Sequence, residues 1–390
     1  MTLKNFTYLL YTASGICNLS NMRIERIELR HIKMELVSPF VTSMGTEYDE
    51  EHIIVRVDCN GITGWGESVA EGTPFYSYET VQTAWHILRD FLIPSILGKD
   101  LADVDEAIGL YDRVRGHMMA KAGLEAALWD AFAKARGISL SKILGGVRDK
   151  VDVGVSIGIQ PSANELIKKV EGYLDEGYKR IKIKIAPGND IQFVSALRKE
   201  FPGLLLQVDA NSAYTLNDTD LFKRMDEYNL ILIEQPLGYE DIFDHSKLQR
   251  ELKTPLCLDE SIHSLDDTRA AIELDSCRII NIKPGRVGGF TESKKIHDYC
   301  ALMNIPVWHG GMLESGIGRA GNVALASLSN FTLPGDISAS KRYYKEDIVV
   351  PEFVVNKDGT MYVPVKPGIG VDVDMKMLER VTVKRESFIL

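Results

Sequence analysis

The stretch "RIKIKIAPG", Arg180 to Gly188, alternates Arg180, Lys182 and Lys184 with Ile181, Ile183 and Ile185, the period of a β-strand with one apolar and one polar face. In isolation it fits a strand whose lysines face water. Its place in the chain argues otherwise. One β-rich run, "VDVGVSIGI", precedes it. Six follow: "LLLQVDAN", "LILIEQP", "PLCLDES", "RIINIKPG", "IPVWHGG" and, less clearly, "FTLPGD", with amphipathic helical patterns between them. The polar residues ending runs two to seven are Lys184, Asp209, Glu234, Asp259, Lys283 and His309, separated by 25, 25, 25, 24 and 26 residues, the length of one βα unit. Eight such units over residues 148–340 predict an α/β fold, a (β/α)8-type, TIM-like barrel closed by sequential right-handed crossovers, with room for one curtailed helix.

The flanks read differently. From Met22 to about Ser68 the pattern alternates as strands, with a hairpin signal at Asn60-Gly61. From Ser77 to Gly146 it is helical, most clearly in "MMAKAGLEAALWDAFAKARG", closed by Gly137. Residues 22–147 are thus expected to form an α+β capping domain. In residues 341–390, "DGTMYVPVKPGIGVDVD" reads as a hairpin with Pro and Gly turns that packs back on the cap. Residues 1–21, with Tyr8, Tyr11 and Thr12 interrupting a short apolar patch, read as a disordered extension rather than a signal peptide.

A net charge of -10 with scattered Lys and Arg argues against nucleic acid or an anionic membrane as partner. No apolar run reaches 18 residues, so no ordinary membrane span is expected. Cys17, Cys59, Cys257, Cys277 and Cys300 show neither CxxC nor metal-type spacing, which points to reduced thiols and the cytoplasm. A small molecule is the expected partner.

In such a barrel, function gathers at the C-terminal ends of the strands. Asp209, Glu234 and Asp259, ending strands three, four and five, would bring three carboxylates together, and three anions at close quarters repel. Any one alone reads equally well as a helix N-cap; all three at one interval do not. A hard divalent cation, Mg²⁺ or Mn²⁺, resolves the repulsion and leaves positions open for substrate. Lys184 and Lys283, on strands two and six, flank the carboxylates from opposite sides. Two bases across a substrate with a metal between them suit removal of the proton α to a carboxylate, with the metal stabilising the enediolate.

A lysine base must lose its proton near neutrality. Lys182, two residues from Lys184, would stand roughly 6.6 Å away on the strand. At an effective dielectric of 20 its repulsion is about 2.5 kcal/mol, nearly two pKa units, so Lys182 is expected to tune Lys184. Asn211 either supports the metal or turns the loop. Glu314 and Ser315, beyond strand seven, could orient Lys283 or bind substrate, and His309 is either a packing residue or an acid.

The motifs "KIK" (182–184), "DAN" (209–211), "EQP" (234–236), "DES" (259–261) and "NIKPGRVGG" (281–289) resemble the enolase superfamily, muconate-lactonizing-enzyme-like subgroup, from about Met22 to the C-terminus. "VGVSIGIQP", "VDANSAYTL", "LKTPLCLDESI", "HGGMLESGIGRAGN" and "LPGDISAS" look like its o-succinylbenzoate synthase and N-succinylamino acid racemase branch. The resemblance implies Lys184 as general base and acid, Lys283 as second lysine, and Asp209, Glu234 and Asp259 as Mg²⁺ ligands. It also implies that Ser156, Gly311 and Met312 meet the succinyl end of a succinyl-bearing carboxylate. The loop "SPFVTSMGT" (38–46) would close over the site with Phe40 and Met44, and the protein would be a homo-oligomer. The branch commonly has His after "GRA", where this chain has Gly321. A dipeptide epimerase would show Asp-x-Asp at strand eight; here Asp336-Ile337-Ser338 stands instead. A dedicated racemase, a muconate-type cycloisomerase and a non-catalytic barrel binding protein are the alternative readings.

Overall fold

The computed structural model describes residues 21–390; the extension expected at 1–21 otherwise lies outside the described residues, as does Cys17. Strands β1 (Met22–Val41), β2 (Thr46–Cys59) and β3 (Ile62–Ser68) form an antiparallel meander. The β2–β3 turn is Asn60-Gly61, with φ of 48° and 75°, the double positive φ that this dipeptide favours. The strand Thr382–Ile389 pairs antiparallel with β1 on its other edge.

Helix α1 (Met118–Ala135) is buried for most of its length because it lies directly on β3. Small residues permit the approach: a Cβ at Gly66 would come within 2.2 Å of the Gly123 carbonyl, and one at Gly64 within 2.1 Å of that of Ala127.

The barrel strands are Gly154–Ile157, Arg180–Lys184, Leu205–Asp209, Ile233–Glu234, Leu256–Leu258, Ile279–Ile282 and Val307–His309, each paired parallel with the next. The eighth position is held by single bridges rather than a ladder: Phe331 to Val307 on one side, Gly335 to Val153 on the other. Pro334 lies between them and has no N–H to donate, which explains why "FTLPGD" reads weakly as a strand. After it the chain makes only the short turn Ser340–Arg342, so the eighth helix is the curtailed one.

Two local expectations need revision. The run "VDVGVSIGI" divides: Lys150–Asp152 pairs antiparallel with Thr360–Tyr362, and only Gly154–Ile157 enters the barrel. The "DGTMYVPVKPGIGVDVD" stretch is not one hairpin, since Thr360–Tyr362 pairs with Lys150–Asp152 and Asp372–Val373 with Val349–Val350. A local turn pattern cannot reveal partners two hundred residues away.

In the Arg180–Lys184 strand, Ile181, Ile183 and the following Ile185 are buried in the core shared with the helices. Arg180, Lys182 and Lys184 take the opposite face, into the barrel lumen, where Arg180 and Lys182 lie over the Trp308 ring at 5.3 and 5.0 Å. Among the described residues no helix is long and apolar enough to cross a membrane, and Cys59, Cys257, Cys277 and Cys300 are buried free thiols.

Candidate active site

Asp209 and Glu234 end their strands, while Asp259 and Lys283 each stand one residue beyond theirs. All three carboxylates are fully buried, and one oxygen from each lies within 4.8 Å of the others. Hard oxygen donors at that spacing fit a hard divalent cation.

Lysines hold the two ends of this row. Lys184 Nζ donates to Asp209 Oδ2 (2.7 Å) and to Asn211 Oδ1 (2.7 Å). Lys283 Nζ donates to Asp259 Oδ2 (2.7 Å) and to the Tyr76 hydroxyl (2.9 Å). Burial raises the Asp209 carboxyl, but Lys184 and Lys182 outweigh that and hold it well below the usual range. Glu234 goes the other way, raised by burial and by the neighbouring charge of Asp209. Burial lowers Lys283, yet Tyr76, Glu260 and Glu234 around it leave the ammonium raised.

Lys182 departs from expectation. Its ammonium lies 3.0 Å from Asp209, 3.0 Å from Glu234 and 2.6 Å from Asp336. Burial lowers its pKa, but these three anions override the effect and raise it. Lys182 thus links Asp209 and Glu234 to Asp336 of strand eight, ion pairs that the picture of a repelling neighbour does not include.

Asp336 is correspondingly engaged, also accepting from Arg180 Nη1 at 2.5 Å, and its carboxyl is lowered to about 2 because Arg180 and Lys182 outweigh burial. Both of its oxygens already face a buried cation, Oδ1 that of Arg180 and Oδ2 that of Lys182, which counts against the dipeptide epimerase reading.

Asn211 turns the loop and hydrogen-bonds into the carboxylate cluster. Its φ of 42° turns the loop, its N–H donates to Asp209 Oδ1 (3.0 Å), and its Nδ2 donates to Glu260 Oε1 (2.8 Å). Ser156 is buried with its hydroxyl unpartnered. Gly311 runs against strand eight, where a Cβ would meet the Asp336 carbonyl at 2.4 Å. Met312 is buried in the cap core, and Met44 packs on that same core. Glu314 is buried but makes no side-chain hydrogen bond to Lys283, which Tyr76 and Asp259 orient instead. His309 is a packing residue: fully buried, lowered to about 3 by burial, and beside the Phe331 ring at 6.0 Å.

The cap closes over this end. Ile159 N donates to Val41 O (2.8 Å), and Ser43 Oγ reaches the carbonyls of Ala210 and Asn211, each at 3.4 Å. Phe40, in the same stretch, is buried.

Several participants escaped the sequence reading. Tyr76, from the cap, donates to Asp259 Oδ1 (3.2 Å), and burial pushes its phenol up to about 12. Arg286 clamps Asp259 to the carbonyls of Ile262 (2.7 Å) and Asn281 (2.5 Å). Asn281 Nδ2 donates to Glu234 Oε1 (2.8 Å). Asn281 and Arg286 lay inside the quoted "NIKPGRVGG", where strand alternation from Lys283 would have put Asn281 in the lumen; Tyr76 carried no such signal. At Gly321 a Cβ would meet Phe290 Cζ at 2.5 Å, so the phenylalanine ring fills the space that a larger side chain would need.

Residues 165–377 match the enolase C-terminal domain-like family, and residues 26–145 match the mandelate racemase/muconate lactonizing enzyme N-terminal domain. An o-succinylbenzoate synthase of Geobacillus kaustophilus is 52% identical over 362 residues, 93% of this chain and 96% of that protein. An N-succinylamino acid racemase of an Amycolatopsis species is 49% identical over 362 residues, 93% and 98% of the two chains. A solved enolase-superfamily member from Listeria innocua superposes with a TM-score of 0.91 at 45% identity, covering 94% of this chain and 99% of that one.

Proposed function

This chain belongs to the enolase superfamily, muconate-lactonizing-enzyme-like subgroup, and from that premise we propose that it is a Mg²⁺-dependent o-succinylbenzoate synthase that also racemises N-succinylamino acids. The observation that carries the reading is the row Lys184, Asp209, Glu234, Asp259, Lys283, with a lysine at each end of a buried triple carboxylate. Both relatives named above act, by their names, on succinyl-bearing carboxylates.

Asp209, Glu234 and Asp259 would hold the cation, with Lys182 and Asn281 fixing Glu234 and with Arg286 and Tyr76 fixing Asp259. Bound there, a dication supplies positive charge where the substrate carboxylate gains electron density on deprotonation. Lys184 Nζ, steadied by Asn211, takes the α-proton from one face. In the synthase reaction the same lysine returns that proton to the departing hydroxyl, so elimination is syn, while the Lys283 ammonium offsets charge on the opposite face. In the racemase reaction Lys283 delivers or takes the proton from that face. The Phe40–Met44 loop keeps water out. One site serves both reactions because both begin with one proton abstraction.

The test is kcat/KM for 2-succinyl-6-hydroxy-2,4-cyclohexadiene-1-carboxylate beside kcat/KM for N-succinylamino acids. Turnover of both is expected. Failure with both substrates, in the presence of Mg²⁺, refutes the reading.

A further inference from the structure

The two lysines are held by different parts of the molecule. Among the described residues Lys184 hydrogen-bonds only within the barrel, to Asp209 and to Asn211, and Glu260 fixes Asn211 in turn. Lys283 donates to one barrel group, Asp259 Oδ2 (2.7 Å), and to one cap group, the Tyr76 hydroxyl (2.9 Å).

Tyr76 lies in the loop between β3 and the helix Val81–Ile87. It is 6% exposed, although Thr73, Pro74 and Phe75 just before it are exposed. The loop is pinned on both sides. Glu79 accepts from Met119 N (2.9 Å) and Ala120 N (3.1 Å) at the start of α1. Val69 packs so tightly on the turn after Lys283 that a Cβ at Gly285 would collide with its Cγ2. The same turn meets the cap twice more: a Cβ at Gly288 would lie 3.1 Å from Met118 Sδ, and one at Gly289 would collide with the Glu125 carboxylate. Toward the loop that carries Asn211 the cap offers the Ser43 hydroxyl, 3.4 Å from the carbonyls of Ala210 and Asn211. The cap is therefore built tightly onto the Lys283 side.

The bonds at Tyr76 run in one direction. An ammonium can only donate, so the Tyr76 oxygen accepts from Lys283 and its own O–H goes to Asp259 Oδ1 (3.2 Å). The Tyr76 ring also lies against the ammonium, with its centroid 4.5 Å from Nζ. With two of the three Nζ donor directions held by Tyr76 and Asp259, tetrahedral geometry sets the third, along which a proton leaves or arrives.

We propose that Tyr76 is a positioning residue for Lys283, through which the cap aligns proton transfer on one face of the substrate carbon while the barrel alone aligns it on the other. This rests on the two-lysine reading given above. Racemisation needs both faces, because the proton one lysine takes must be replaced by the other. The synthase reaction uses Lys283 for its charge and moves no proton through it, so a misaligned Lys283 slows dehydration less than racemisation.

The experiment follows the α-proton of each enantiomer of N-succinylphenylalanine by proton NMR in D₂O, at saturating Mg²⁺, with optical rotation recording racemisation. Wild-type enzyme and Tyr76→Phe are compared. Lys283→Arg identifies the enantiomer that Lys184 deprotonates as the one that still exchanges. For that enantiomer Tyr76→Phe is expected to raise the ratio of exchange to racemisation by about 10- to 100-fold, the range of a hydrogen bond to a charged group. Lys184 goes on trading its proton with solvent while delivery from Lys283 is slowed. For the opposite enantiomer exchange and racemisation fall together. If the ratio stays within about 3-fold of the wild-type value, with both enantiomers slowed alike or not at all, the hydroxyl serves only Asp259 and the carboxylate cluster, and the proposal falls while the racemase stands. Exchange of neither enantiomer by the wild-type enzyme overturns the racemase reading, and this proposal with it.

Discussion

Removing the carboxylate of Glu67 should detach the cap from the barrel loop that follows strand seven. Glu67 stands at the end of β3 and is buried. It accepts from Ser315 N (3.0 Å), Ser315 Oγ (2.6 Å), Gly318 N (2.7 Å) and His52 Nδ1 (2.7 Å). The cap thus provides the N-terminal carboxylate of the barrel helix Gly316–Ala326. Glu67→Ala leaves buried donors unpaired, a loss of about 3–5 kcal/mol for breaking a buried pair, with up to about 1 kcal/mol more for the helix terminus. Glu67→Gln keeps the shape and one acceptor and should cost about 2 kcal/mol.

The loss should depend on pH. Burial raises the Glu67 carboxyl, but His52 and Ser315 outweigh that and lower it, so its contribution is present above the unfolded value of 4.5 and lost as pH falls through the folded pKa. Burial lowers His52, but Glu67 outweighs that and raises it, so its contribution is complete below 6.5 and fades as pH rises through the folded pKa. The wild-type advantage over Glu67→Gln should therefore be greatest between these limits and shrink in alkali. Urea unfolding of both proteins across pH 5 to 9, with matched m-values, measures it. A difference below about 1 kcal/mol near neutrality, or one flat across that range, refutes the reasoning.

Three further outcomes are expected. Asp336→Asn leaves Arg180 and Lys182 short of a buried anion and should destabilise the fold by about 3–5 kcal/mol in urea unfolding; a loss under 1 kcal/mol would show the lumen network to be slack. Gly158→Ala puts a Cβ 2.7 Å from Val41 O and 2.8 Å from Val41 N, so the cap loop must lift, raising KM at least several-fold with kcat less affected; steady-state kinetics with an unchanged KM would contradict the closure. Chelation should abolish both activities and Mg²⁺ restore them, and Asp209→Asn or Glu234→Gln should lose Mg²⁺ binding by calorimetry.

The barrel was legible because each βα unit repeats the same physical problem at one length, so strand ends recur near every 25 residues and carry their polar residues in phase. That same phase placed Lys184, Asp209, Glu234, Asp259 and Lys283 around one mouth. What it could not give was partnership. The lysine two residues from Lys184 reads in sequence as a repelling neighbour, but closure of the ring sets strand eight beside strand one and puts Asp336 2.6 Å from its ammonium. Tyr76 and Glu67 act across the cap interface, where sequence separations of 207 and 248 residues leave no local pattern. Strand eight was faint because Pro334 and Gly335 replace ladder hydrogen bonds with single bridges.

The central claim is that Lys184 and Lys283 work from opposite faces of one carbon. Its most direct measurement is proton NMR of α-hydrogen exchange in D₂O, with each enantiomer of an N-succinylamino acid, Mg²⁺ and the Lys283→Arg enzyme. The expected result is exchange of one enantiomer without racemisation, with Lys184→Ala losing the exchange that remains. Normal racemisation by Lys283→Arg would contradict the assignment.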